Sequence, residues 1–278
     1  MPARTLGALL VAAAACTWGL WSLFLRGSGL DGPAVTAVVL AVMALPLPLA
    51  LRRTALRDRG ALGAVALLGL ADAGNVGCYF TALQRGPIAL AVLTHYLAPL
   101  LVALLAPAAL SEPPSRRARL AAPAALLGLA LVLGAPRGAS LPTALLGGAS
   151  AGCYAVVVLA AKRAGRAFGP LALNAVHAPI SLALLLAAFG REALPAPGPG
   201  LLRVLAGAVL CGLAANAVFY AGLRRVTAQV ASALTWLEPL AATAVGVLAF
   251  GERLGPPALL GSGLVLAAGV WVAVERPA

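Results

Sequence analysis

Charge is scarce in this 278-residue chain. Only 10% of its residues are Asp, Glu, Lys or Arg, and acidic side chains number 8 against 20 basic ones. A soluble domain is about a quarter charged, and a soluble fold of this composition would leave a greasy surface. Reactive groups are sparse too. The four cysteines (Cys16, Cys78, Cys153 and Cys211) all fall in apolar runs, and no pair has metal-ligand spacing, so neither a disulfide nor a metal is expected. No cofactor motif is present. An H-E-x-x-H motif is missing and the deep ionisable residues are scattered, which argues against a polytopic membrane enzyme acting on a lipid-linked substrate. The arginines lie dispersed in the turns and form no basic face, so nucleic acid is not an expected partner.

What the chain has in quantity is apolar sequence, at 62% of residues and a mean hydropathy of +0.99. Crossing about 30 Å of hydrocarbon takes roughly 20 apolar residues in a helix. The pattern predicts ten spans: Thr5 to Leu25, Pro33 to Leu51, Gly60 to Leu83, Pro87 to Leu110, Leu120 to Ala135, Leu141 to Ala161, Pro170 to Phe189, Val204 to Leu223, Val226 to Phe250 and Pro256 to Val274. They are apolar nearly all round, as lipid-embedded helices are. The run Ala13-Ala14-Ala15-Cys16 faintly resembles a lipoprotein cleavage site, but the apolar stretch continues through Trp18 and Trp21.

One stretch occurs twice. Gly74 to Glu112 is echoed by Ala214 to Glu252, with Phe80 against Tyr220, Leu97 against Leu237, Pro99 against Pro239 and Glu112 against Glu252. Repeats over residues 1–138 and 139–278 follow. The expected fold is all-α: a polytopic membrane protein of ten transmembrane helices in two inverted five-helix repeats.

Basic residues set the orientation. With a cytoplasmic N-terminus the inside segments hold Arg4; Arg52, Arg53, Arg57 and Arg59; Arg116, Arg117 and Arg119; Lys162, Arg163 and Arg166; Arg224 and Arg225; and Arg276. The outside segments hold Arg26, Arg85, Arg137, Arg191, Arg203 and Arg253, so the count is fourteen against six. Both termini are expected in the cytoplasm. Arginine outnumbers lysine nineteen to one. That bias suggests a GC-rich bacterial source and hence an inner (plasma) membrane. Five spans per repeat is an odd number, so the second copy enters from the opposite side. Inverted repeats are a usual build for secondary transporters, with the solute near the midplane between the halves.

Polar residues inside such spans are costly and point to a cavity or a partner. On the third span Asp72, Asn75 and Tyr79 share a face. The eighth repeats it with Gly212, Asn216 and Tyr220, and glycine stands where the first copy has Asp72. His95 precedes Pro99 on the fourth span, and Trp236 and Glu238 precede Pro239 on the ninth. Matched helix breaks in the two halves point to a binding site. Trp18, deep on the first span, is a further candidate wall residue. Each has a structural alternative: a helix–helix hydrogen bond for Asp72, a satisfied core residue for His95, a packed carboxyl for Glu238. The polar stripe Asn174, His177 and Ser181 on the seventh span must meet protein or water. Glu112 and Glu252, in turns, read as structural. Small residues on the tenth span (Gly261, Val265 and Gly269) read as packing, inside the chain or in a homodimer; monomer and homodimer both stay open.

The paired segments Leu97-Ala98-Pro99-Leu100 and Leu237-Glu238-Pro239-Leu240, each followed by a glutamate (Glu112, Glu252), resemble the EamA type of the drug/metabolite transporter superfamily. The second copy is the closer match; Ala98 replaces the glutamate and Ser111 the glycine in the first. The resemblance implies ten helices, cytoplasmic ends, a central cavity and export of small metabolites such as amino acids. Drugs, lipophilic cations, nucleotide sugars and lipid-linked solutes are the rival cargoes. Protons are a candidate coupling ion through Asp72, His95 or Glu238.

Overall fold

A computed structural model describes residues 2–49, 58–134 and 140–275. The basic residues Arg52, Arg53, Arg57, Arg137 and Arg276, and the expected span ends at Leu51 and Ala135, lie outside the described residues. Nine helices among the described residues are long and apolar enough to cross a membrane: α1 (Ala3–Leu25), α2 (Gly32–Leu49), α3 (Arg59–Arg85), α4 (Ile88–Leu110), α6 (Leu141–Ala164), α7 (Pro170–Ala193), α8 (Pro199–Leu223), α9 (Ala228–Phe250) and α10 (Pro256–Ala273). The tenth, α5 (Arg116–Leu133), differs only in carrying three arginines in its first turn. The protein is an all-α, multi-pass membrane protein.

Caps explain where helix ends depart from the apolar pattern. The α5 helix starts at Arg116 rather than Leu120, because Ser115 Oγ accepts a hydrogen bond from Ala118 N–H at 2.9 Å. Asp58 caps α3 in the same way through Ala61 N–H at 3.0 Å. Pro199 lies in the first turn of α8 ahead of Val204, a position where proline's missing N–H costs nothing.

Helix contacts obey one interchange, in which each helix swaps with the one five places on. Helix α3 packs on α6 as α8 packs on α1, and α4 packs on α6 as α9 packs on α1. Likewise α2 meets α8 as α7 meets α3. Three pairs map onto themselves: α2 with α7, α4 with α9, and α5 with α10. This is the pattern of two repeats related by a two-fold axis in the membrane plane. The repeats therefore embrace rather than stand side by side. Each first helix docks on the other repeat.

Small residues make the close crossings. Against α5, the Gly261 face of α10 is so tight that a Cβ on Gly128 would lie 2.6 Å from the Gly261 carbonyl oxygen and 2.9 Å from Val265 Cγ2. This part of the α10 small face is thus used within the chain, not in a homodimer. Exposed leucines such as Leu141, Leu202 and Leu248 cover the outside, where lipid replaces water.

Candidate solute site

Helices α4 and α9 break at matching positions, where proline removes a backbone donor. Helix α4 runs as Ile88–His95 and Ala98–Leu110, and α9 as Ala228–Leu234 and Leu237–Phe250. Neither Pro99 nor Pro239 can bond the carbonyl four residues back, at His95 and Thr235. Thr235 O instead takes Glu238 N–H at 3.0 Å, which tightens the turn. Glu238 so enters the first turn of a half-helix, whose positive end favours a carboxylate.

Helix α8 is irregular in its own way. Ala208–Ala214 forms a π segment, a feature frequent at functional sites. Two side-chain amides bond carbonyls there: Asn216 Nδ2 donates to Gly212 O at 2.9 Å, and Asn174 Nδ2 from α7 donates to Leu213 O at 3.0 Å. Cys211 Sγ, also in the segment, donates to Thr17 O on α1 at 3.2 Å.

Between the breaks and the π segment lies a cavity of about 420 Å³, within the usual range of roughly 300–1,000 Å³ for small-molecule sites. Trp18, the α3 trio of Asp72, Asn75 and Tyr79, and His95 line it from the first repeat. Asn216, Tyr220 and Glu238 line it from the second. Trp236 does not. It is 2% exposed within the core cluster, and its Nε1 has no hydrogen-bond partner. It occupies the α9 break itself, so its side chain leaves the helix away from the face that carries Glu238.

Hydrogen-bond bookkeeping fixes the tautomers of both histidines. His177 Nδ1 is 2.7 Å from Leu173 O, which can only accept, so Nδ1 carries a proton. His177 Nε2 is then the nitrogen 3.9 Å from Asp72 Oδ2. Ser150 Oγ donates to Asn75 Oδ1 at 2.8 Å and lies 2.9 Å from His95 Nδ1, which must be the donor to it. Ser150 thus ties α3 to α4 through α6. The α7 stripe divides its work: Asn174 serves α8, Ser181 Oγ donates to Gly69 O at 3.0 Å, and His177 faces the cavity beside Asp72.

Aromatic rings form much of the wall. The Tyr79 ring lies tilted at 4.7 Å from His95, with Tyr96 at 5.5 Å and Tyr154 at 5.6 Å from the same imidazole. Trp18 lies 5.1 Å from Phe219. Tyr96, Tyr154 and Phe219 are wall residues that polarity and spacing did not single out. Tyr154 has one sequence signal, its place four residues after Ser150 on the same helix face.

The cavity lining reaches further towards one face than the other. Trp21 and Leu25 at the end of α1, Val35 and Thr36 at the start of α2, and Phe80 near the end of α3 carry it towards the face opposite the termini. At the termini face the first half of α9, Ala228–Leu234, is buried throughout. There Glu112 accepts from Ala228 N–H with both oxygens, at 3.1 and 2.8 Å, and lies 3.8 Å from Lys162 Nζ. Lys162 also donates to Leu223 O at 2.5 Å and to Val226 O. Gln229 bridges the α4–α5 loop, accepting from Ser115 N–H at 2.7 Å and donating to Pro113 O at 2.9 Å. Burial pushes the Glu112 carboxyl above the usual range, with the Ala228 N–H, Lys162 and Arg166 opposing it. The repeat-related glutamate, Glu252, sits at the other face on Arg26 at 2.9 Å, and Arg26 lies 4.0 Å over the Phe250 ring.

A two-repeat helical membrane protein with a solute-sized chamber between its halves is the architecture of a secondary transporter. The model of the EamA-like transporter family matches residues 5–134 and again 141–274, and the chain belongs to that family. An uncharacterized transporter of Archaeoglobus fulgidus is 32% identical over 274 residues, 96% of each chain. A crystal structure with 23% identity superposes with a TM-score of 0.82, over 96% of this chain and 98% of that one, which supports the fold.

Proposed function

We propose that this protein carries a small organic solute across the membrane by alternating access. The solute binds in the cavity walled by Trp18, Asp72, Asn75, Tyr79, His95, Asn216, Tyr220 and Glu238, and the two repeats (residues 1–138 and 139–278) rock about it. The observation that carries this reading is the unequal use of Glu112 and Glu252. In an inverted repeat the bond of Glu112 to Ala228 N–H has a counterpart, Glu252 with Ile88 N–H at the start of α4. Here Glu252 pairs with Arg26 instead, and Ile88 is exposed. Exchanging the two arrangements would close the open face and open the closed one.

The basic-residue count supports cytoplasmic termini, and on that reading this conformation opens outward. The family resemblance favours export of small metabolites across the plasma membrane, and a proton moving through Asp72 or Glu238 is the simplest coupling. A single cysteine at Thr36, in a background lacking the native cysteines, tests the exchange. A membrane-impermeant maleimide should label it readily in sealed cells. Glu112→Ala, which frees the termini face, should slow that labelling several-fold. Equal labelling rates in the two backgrounds would defeat the alternating-access reading.

A further inference from the structure

We infer that the solute is an organic cation with an aromatic or apolar body. The inference rests on the reading of the cavity as the solute site and names what that site selects. Its first support is charge. Asp72 and Glu238 line the cavity, and among the described residues no lysine or arginine does. Asp72 has the His177 imidazole as a neighbour, with Nε2 3.9 Å from its Oδ2. Glu238 has no such partner; its polar neighbour is the Tyr96 phenol. The half-helix N-terminus beneath it favours the ionised carboxylate without neutralising it. A carboxylate held this deep without a countercharge is costly, and a cationic solute supplies that charge only while bound.

The second support is the wall. Trp18, Phe219, Tyr79, Tyr96 and Tyr154 offer ring faces around a chamber that also holds Glu238. Ring faces attract cations, most of all when both are desolvated. An amino-acid zwitterion would bring a carboxylate into a chamber that already holds Glu238 and offers no cationic side chain to receive it. That is a repulsive selection against anions and zwitterions.

Three probes of matched shape separate the charges: phenethylamine, phenylalanine and 3-phenylpropionate. Tetraphenylphosphonium serves as a larger cation. Binding to the purified full chain in lipid nanodiscs is read by quenching of tryptophan fluorescence, since Trp18 and Trp21 line the cavity. Phenethylamine or tetraphenylphosphonium should bind at least tenfold more tightly than the zwitterion and the anion. Glu238→Gln should abolish that preference, and Glu238→Asp should restore part of it. Circular dichroism and gel filtration verify that each variant is folded. Phenylalanine or 3-phenylpropionate binding as tightly as the cations, an unchanged preference in Glu238→Gln, or failure of both cations to bind the folded protein would each overturn the inference. Counterflow of labelled phenylalanine without cation binding would overturn it while leaving the transporter reading intact. Cation binding without the Thr36 labelling shift would spare it and remove alternating access.

Discussion

Glu112 and Glu252 hold the same position in the two repeats but different bonds. Glu112 forms a bidentate cap on Ala228 N–H and lies 3.8 Å from Lys162, with side-chain exposures of 11% and 16%. Glu252 lies 2.9 Å from Arg26 in a pair 52% and 57% exposed. Shorter distance and greater stabilisation do not go together here. Exposed pairs contribute about 0–1 kcal/mol, whereas removing one member of a buried pair costs about 3–5 kcal/mol because the other charge is stranded. Glu112→Ala should therefore lower the thermal midpoint in detergent far more than Arg26→Ala. If the two variants melt alike, the buried assignment of the Glu112–Lys162 pair is wrong.

Much of this site was legible in the sequence, because helical spacing alone gathers Asp72, Asn75 and Tyr79, and the repeated Leu-x-Pro-Leu segments locate both breaks. What spacing cannot show is which other helix a face meets. Glu112 reads naturally as a residue of its own turn, yet the N-terminus it caps belongs to α9 of the other repeat. Ser150 sits among small residues (Gly147, Gly148, Ala149, Ala151 and Gly152), so its hydrogen bonds to Asn75 and His95 leave little trace in composition. His177 is visible as part of a polar stripe, but its proximity to Asp72 depends on how α7 packs on α3. The small face of α10 was legible as packing, and only the contact with Gly128 says against what.

That contact makes a second prediction. A side chain at Gly128 must push against the Gly261 carbonyl and Val265, the first of these backbone that cannot rotate away. Gly128→Leu should destabilise the protein by at least the ~1–3 kcal/mol typical of overpacking. Gly148→Ala is the control, since a Cβ there meets nothing within 4 Å. Alanine gains helix propensity over glycine by up to about 1 kcal/mol. Denaturant unfolding in mixed micelles should move the two variants in opposite directions.

Asp72 and His177 should behave as a unit. If they interact across the 3.9 Å that separates them, Asp72→Asn and His177→Gln each break the same interaction, and the double variant costs less than the sum. Coupling between residues in one such pair is about 0.5–3 kcal/mol. Glu238→Gln, which does not enter the pair, should add to either within about 0.5 kcal/mol. A double-mutant cycle on unfolding free energy measures both couplings. Additivity between Asp72→Asn and His177→Gln would show that the two side chains do not interact.

Trp236 gives the last prediction, because here the sequence expectation and the structure part. A tryptophan one residue before Leu237-Glu238-Pro239 looks like a cavity wall, but the helix break turns it into the core, where its Nε1 has no hydrogen-bond partner. Trp236→Phe removes that orphaned donor and part of the buried ring. The first change recovers a desolvation penalty of about 1–3 kcal/mol, and the second leaves a void that costs energy in proportion to its volume. The two oppose each other, so the net change in stability should be small, within about 1.5 kcal/mol. Solute affinity should not change at all. Trp18→Phe is the contrasting variant. Trp18 lines the cavity and touches Phe219, so its replacement should alter affinity for an aromatic solute while leaving the fold in place. An affinity change in Trp236→Phe as large as in Trp18→Phe would return Trp236 to the wall and require α9 to rotate about its break when solute binds.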